Sequence, residues 1–408
     1  MRRGNPVYLL LLGMCLAMPY LASAQLDPEY RRLVQLGYNE PLEGKGPIAA
    51  YGFFYYNQPN FYASNLVLRA AIAPVYLDSE LGFKSLIGPH TDLGVGVAGG
   101  GFADSYSEIR RGRYLEDESF LGHGGSLSLS LYHLFNPDDR VPLNLIVRAT
   151  GGLSTYEEDD NTAPNFQLPK DHETLKVRTG LRFGGEEPSL TEPLAMEVSV
   201  WEESQFRNNA HAYGFADDRL VEADTHLIWA RALLKYTFKN EHLFEFSVTA
   251  GTSIRPDRFS AYRLGGVLPF ATEFPLNLPG YYYQEISAEK FVQFDGQYSF
   301  PLTPKRNLRL SLYGGGARVD YLDGLEQPGH WHSGAGGGLT FISPRGTWLA
   351  TVLYAHGFNA LRKNDELGAN SIGLIFQWDL EAKKRGKSRF FTPEVNPYGS
   401  RGGERLFR

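Results

Sequence analysis

The 408-residue chain has a single cysteine, Cys15, so a scaffold stapled by disulfides is excluded. Beyond residue 24 no apolar run approaches the roughly 20 residues that a membrane-spanning helix requires. No G-x-S-x-G sequence occurs, which removes the nucleophile-elbow hydrolases, and no cofactor-binding motif is present. A formal net charge of −6 gives no electrostatic basis for nucleic acid as a partner. The N-terminus supplies what a secreted chain needs. Arg2 and Arg3 form a positive start, Val7 to Leu21 an apolar stretch broken by Pro19, and Ala22-Ser23-Ala24 a small-residue cleavage site. Met14 before Cys15 does not suit lipoprotein processing. Cleavage after Ala24 removes the only cysteine and two arginines, moving the charge from −6 to −8. The remaining options are a periplasmic protein, a secreted one, or a β-barrel of the bacterial outer membrane.

The middle of the chain alternates with period two. In "SLSLSLYHLF", Leu127, Leu129 and Leu131 alternate with serines. In "LFEFSVTAG", Phe244, Phe246, Val248 and Ala250 alternate with Glu245, Ser247 and Thr249. In "NLRLSLYGG", Leu308, Leu310 and Leu312 alternate with Arg309, Ser311 and Tyr313. Successive strand side chains point to opposite faces, so each run has one apolar and one polar face. The runs are longer than the 5–6 residues typical of soluble strands and match the roughly 9–11 of a tilted membrane strand. Aromatic residues near their ends (Trp201, Tyr236, Phe238, Trp348, Tyr354 and Trp378) suit an interfacial girdle.

Connections alternate between short and long, as in outer-membrane barrels. The short ones are "FNPDDR" from Phe135, "KNE" from Lys239, "PLTPKRN" from Pro301 and "SPRG" from Ser343. The long ones lie near 103–120, 155–172, 204–221, 255–283, 319–329 and 358–368. Fifteen strands are predicted: 48–57, 62–75, 79–88, 91–103, 121–134, 141–154, 173–184, 192–203, 222–238, 242–254, 284–299, 306–318, 332–343, 346–357 and 370–380. Barrels of this type hold even numbers of strands. A further strand between Tyr30 and Gly44 gives sixteen, and fusing two early runs gives fourteen. The expected fold is therefore a closed antiparallel transmembrane β-barrel, all-β, over residues 48–380. A signal peptide (1–24) and a short segment (25–47) precede it, and a basic periplasmic tail (381–408) of net charge +5 follows.

Four segments, in order, resemble the bacterial surface antigen barrels: "FSAYRLGG…LPGYYYQE" (Phe259–Glu285), "GGGARVDYLDG" (Gly314–Gly324), "GAGGGLTFISPRGTWLATVLYAHGF" (Gly334–Phe358) and "SIGLIFQWDL" (Ser371–Leu380). That superfamily includes the outer-membrane assembly factor, the two-partner-secretion transporters and the C-terminal barrels of patatin-like phospholipases, whose "YRLGG" is matched at Tyr262–Gly266. The resemblance implies a long loop folded into the lumen, with an Arg-Gly-aromatic tip meeting an aspartate on the inner wall. By position the tip is Pro279-Gly280-Tyr281 and the aspartate Asp320. The arginine is absent, and Arg263, beside Gly265 and Gly266, is the substitute cation on offer. The apolar, proline-stiffened loop suits burial. Glycines at 94, 96, 99–101, 314–316, 334 and 336–338 suit either close approach of that loop or barrel curvature. Ser371, Gly373, Phe376 and Trp378 resemble the final-strand signal read by the outer-membrane assembly machinery.

Only residues 25–47 precede the first predicted strand, too few for a periplasmic transport-associated domain. The implied function is passage or insertion of protein or lipid at the outer membrane. Its partners would be outer-membrane lipid and lipopolysaccharide, the assembly machinery during biogenesis, and a second copy or a periplasmic partner at the 381–408 tail. The alternatives are a passive or structural barrel and, further off, a lipid-active enzyme built on His123 with Ser126 or His356 with Asn359. An enzyme is not expected. His330 and His332 form an i, i+2 pair with no third ligand nearby, so no metal is expected. Arg110, Arg111 and Arg113 sit in a mixed-charge outer loop, read first as salt-bridged and solvated and second as a contact for lipopolysaccharide phosphates.

Overall fold

The computed structural model describes residues 26, 30–139, 141–185, 194–267, 276–362 and 365–382. The predicted signal peptide with its cleavage site, and the tail beyond Ala382, lie outside them. Among the described residues there are twenty strands: β1 (Arg31–Pro41), β2 (Ala49–Pro59), β3 (Leu66–Ile72), β4 (Tyr76–Gly88), β5 (Thr91–Gly100), β6 (Tyr106–Arg110), β7 (Arg113–Leu134), β8 (Leu143–Glu158), β9 (His172–Gly185), β10 (Leu194–Arg207), β11 (Ala212–Tyr213), β12 (Arg219–Leu220), β13 (Asp224–Thr237), β14 (Leu243–Ile254), β15 (Tyr262–Leu264), β16 (Ile286–Pro301), β17 (Leu308–Tyr321), β18 (Trp331–Ile342), β19 (Trp348–Leu361) and β20 (Leu367–Asp379). Sixteen of them form a closed antiparallel barrel. The closing seam pairs β1 with β20, from Leu33 opposite Asp379 to Pro41 opposite Ser371.

The alternation settles which face meets water. Leu127 is 66 % exposed on the outside, whereas Glu197 inside is 1 % exposed. Leu129, Leu312, Phe244, Phe246 and Val352 also point outward, and Ser130, Ser311, Ser247 and Glu245 point into the lumen. A soluble sandwich buries its apolar face. This sheet presents it, as only a lipid environment allows.

The barrel begins at Arg31 rather than at residue 48. The strand that completes sixteen is β1, within the expected 25–47 segment. β3 is shorter than the predicted 62–75, because Asn60 and Tyr62 adopt left-handed backbone in the preceding turn. The long connections gather at one end of the barrel. The stretch 103–120, read as a loop, instead forms a hairpin of β6 with the outer part of β7.

The barrel interior is not uniformly apolar. Arg231 donates to Glu197 at 2.9 Å, Arg178 to Glu203 at 2.6 Å, and Arg148 to Glu80 at 3.0 Å. Arg69 pairs with Asp78 at 3.1 Å. Burying one such charge without a partner is strongly unfavourable, so these side chains fill space in pairs. Over the long-loop end, Tyr106, Phe120, Phe166, Tyr213 and Val221 build an aromatic cap. Beneath them Glu108 receives Arg258 at 3.1 Å, and Glu118 pairs with Arg110 and Arg219. Burial lowers the Arg219 guanidinium to about 10, against the pull of Glu108.

Trp201 does not join the girdle. It shares the lumenal parity of Glu197, Ser199 and Glu203, is 3 % exposed, and stacks on Trp229 with ring centroids 6.2 Å apart. Tyr236, Phe238, Tyr354 and Trp378 are exposed on the outside.

Candidate functional site: a loop docked on the inner wall

The connection between β14 and β16 leaves the rim through a tight turn built on Asp257. Its Oδ1 accepts from the Phe259 and Ser260 amides at 3.0 and 2.9 Å, and its Oδ2 accepts from Arg207 at 2.6 Å. The short strand β15 then pairs with the first residues of β16, Ile286 to Ala288. The two described arms of the loop bond each other: Gly265 N donates to Leu276 O at 2.9 Å, and Leu278 N to Gly266 O at 3.0 Å. Left-handed φ angles of 138° and 82° at Gly265 and Gly266 permit this crossing.

The apolar face of the loop explains why it does not stay in solvent. Leu264, Leu276, Leu278 and Tyr281 share a buried cluster with Phe291 of β16, Ala317 and Val319 of β17, Ala360 of β19 and Ala369 of β20. Val267 joins a second cluster with Ala49, Leu353, Ala355 and Ile375. Fully burying one such large side chain stabilises by about 1.5–3 kcal/mol.

At the tip the contact is backbone on backbone. A Cβ at Gly334 would lie 2.0 Å from Pro279 O, and a Cβ at Gly280 would lie 1.9 Å from Gly357 N. Only glycine permits this approach. Tyr281 inserts beside the wall, its hydroxyl 3.2 Å from His332 Nδ1, while His332 Nε2 is 2.6 Å from the Tyr321 hydroxyl. His330 instead bonds Val319 O at 2.9 Å, so the two imidazoles serve separate structural partners. No group of three or more metal-ligating side chains occurs among the described residues.

An ion pair latches this arrangement. Arg362, just past β19, donates to both Glu285 oxygens, at 3.0 and 3.1 Å, and to the tip carbonyl of Gly280 at 3.2 Å. Its guanidinium also lies 3.7 Å from the centre of the Tyr282 ring. Glu285 further accepts the Tyr282 amide at 2.8 Å. Burial pushes the Glu285 carboxyl above its ordinary range, opposed by Arg362.

The family-style contact expected at Asp320 does not form. Asp320 has outward parity on β17; its side chain is 49 % exposed and lies 4.0 Å from His330. The lumenal neighbours of the tip are Val319 and Tyr321 instead. Arg263 does not replace the missing tip arginine. It donates to Ser107 O and Gln284 O at 2.8 and 3.0 Å and stacks 4.7 Å from the Tyr106 ring, tying the loop to the cap. Of the wall glycines singled out in sequence, Gly334 meets the loop. Gly94 and Gly315 instead make room for Glu80 and Asp295, and Gly314 and Gly316 face outward. Arg362, Glu285, Gly357 and His332 escaped the sequence reading as loop contacts. The one available signal was a lone glutamate closing the "LPGYYYQE" segment.

On β20, Ser371 and Gly373 face the lumen, and Phe376 and Trp378 the outside. His123 and Ser126 point to opposite faces of β7, with His123 3.0 Å from Glu157. His356 bonds Asn370 at 2.8 Å, while Asn359 accepts from Ser333 at 2.8 Å. Neither nominated pair comes together. Between cap, loop and wall remains a cavity of about 330 Å³, with Asp104, Ser154, His172, Lys176 and Arg207 among its lining.

No protein-family model matches the chain, and no curated protein matches its sequence. Solved structures do. CdiB from Acinetobacter baumannii superposes with a TM-score of 0.54 at 11 % identity, over 85 % of this chain and 60 % of its own. CdiB from Escherichia coli gives 0.56 at 13 % identity, over 86 % and 64 %. BamA from Haemophilus ducreyi lacking POTRA domains 1-3 gives 0.52 at 11 % identity, over 85 % and 71 %. The chain thus spans less than two thirds of the length of either CdiB. With sixteen strands and the long connection between the eleventh and twelfth of them turned inward, it shares the barrel fold of these CdiB and BamA structures.

Proposed function

We propose that this barrel is a loop-gated conduit of the outer membrane, through which a protein or lipid is passed or inserted. The observation that carries this reading is the loop docked against β16–β20 and held by Glu285 and Arg362. A segment this apolar, pinned by one buried ion pair onto an apolar wall that narrows to glycine at the tip, is built to seat and unseat as a unit. A passive open pore fits less well, because cap and loop obstruct the lumen. No hydrolytic role is proposed. Partner choice would come from the membrane lipids and from a second copy or a periplasmic protein engaging residues 381–408.

The test is single-channel conductance in planar bilayers, comparing the intact barrel with one whose residues 262–279 are replaced by a short Gly/Ser linker. Small, flickering events in the intact protein and a large steady conductance in the variant are expected. Matching traces would remove the gate from this reading.

A further inference from the structure

The geometry points to a seat for a phosphate group inside the barrel, in the cavity between cap, loop and wall. Inward-facing cations elsewhere in the lumen come with carboxylates: Arg69 has Asp78, Arg148 has Glu80 and Arg231 has Glu197. The cavity departs from that rule. Lys176 of β9, Arg207 of β10, and Arg258 and Arg263 at the root of the loop all line it, and Asp104 is the one carboxylate among its described lining residues. Arg207 is matched by Asp257 and Arg258 by Glu108. Asp104 is itself engaged, accepting from the Ser154 hydroxyl at 2.6 Å.

Two cations remain. Lys176 has the lumenal parity of His172 and Thr174, yet it is exposed. Among the described residues its ammonium has no hydrogen bond and no ion pair. Arg263 donates only to backbone carbonyls, those of Ser107 and Gln284, and its Nε is buried without an acceptor. Asn277, on the other arm of the loop, is 8 % exposed and holds a buried Nδ2 donor that also lacks an acceptor. Unpaired buried donors beside cations without a counter-charge are unfavourable. All three side chains line the same cavity, and all three call for an acceptor that carries negative charge.

A phosphate monoester suits that set better than a carboxylate. It carries a charge of about −1.5 to −2 at neutral pH and offers three strong acceptor oxygens, which wall and loop can meet from different sides. The planar guanidinium of Arg263 matches two of those oxygens. A carboxylate brings one charge and two oxygens in a single plane. At about 330 Å³ the cavity has the size of a small-ligand site. Free phosphate and a phosphorylated lipid headgroup offer the same chemistry, and the test separates them. The seat stands whether or not the loop acts as a gate.

The test is isothermal titration calorimetry on the full-length protein in detergent micelles, in phosphate-free buffer, with folding judged by heat-modifiable gel mobility. Sodium phosphate is expected to bind saturably at one site, and sodium chloride at matched ionic strength is not. Lys176→Met should weaken phosphate binding by about tenfold or more, the loss of one charge-assisted hydrogen bond. Asn277→Leu, which changes no charge, should weaken it by about fivefold. Lys239→Met, in an exposed short turn at the other end of the barrel, should leave it unchanged. Displacement of phosphate by micellar phosphorylated lipid A, but not by its dephosphorylated form, would assign the seat to a lipid headgroup. Failure of both lipids to displace it would assign the seat to free phosphate.

No saturable binding of phosphate or of phosphorylated lipid A overturns the seat, as does an equal response to chloride. Intact affinity in both Lys176→Met and Asn277→Leu places any binding elsewhere and overturns it too. None of these readouts uses conductance, so failure of the loop gate is scored separately.

Discussion

On one side of the lumen, from β16 to β20, the wall meets the loop with apolar side chains and with glycine at the tip, and a separate segment of chain fills the space. On the other side, from β3 to β14, the wall fills the space with its own long side chains, Arg148 on Glu80, Arg178 on Glu203 and Arg231 on Glu197. Both arrangements fill lumenal space, but they differ in what it takes to undo them. The paired charges are rooted in strands and cannot leave without opening the sheet. The loop is rooted at its two ends and meets the wall through apolar side chains, backbone contacts at glycine and one ion pair, so it can leave as a body while the barrel stays closed. A gate belongs on the second kind of surface.

Substitutions that treat the two sides alike would break this distinction. The largest effect is expected on the charged side. Glu197→Leu deprives Arg231 of its carboxylate, and breaking a buried pair by removing one partner costs about 3–5 kcal/mol. Unfolding in urea from detergent micelles should register that loss while conductance stays low. Gly334→Val on the loop side should cost less in barrel stability, about 1–3 kcal/mol for overpacking. It removes the backbone approach at Pro279, however, so open events should lengthen in bilayer recordings.

How much of this was readable beforehand depended on distance along the chain. Period-two alternation is local, so the barrel, its polar lumen and its long and short ends could be read from runs such as Leu127 to Leu131. β1 was harder to read, because Leu33 is apolar on the lumenal face and Gly37 interrupts the pattern. Trp201 and Asp320 were misplaced for one reason: a shift of one residue changes the face of a strand, and chemistry alone does not reveal parity. The Glu285–Arg362 latch joins positions 77 apart in sequence. Only closure of the sheet brings them together, and no local motif marks such a pair.

The smallest effect is expected at that misplaced aspartate. Asp320→Asn lies on the outer face, away from the loop tip, and should leave stability within about 0.5 kcal/mol, with conductance unchanged. A clear opening of the channel by this substitution would mean that the tip reaches the wall by another route.

The most direct measurement is single-channel conductance across the cycle Arg362→Met, Glu285→Leu and both together. Each single substitution leaves one buried charge without its partner and should release the loop into long-lived open events. The double substitution replaces the pair with apolar side chains of similar size, which is often neutral where a single loss is not, and should return the trace toward the quiet intact state. Single variants as quiet as the intact barrel, with the double no different, would contradict a loop held to the wall by this ion pair.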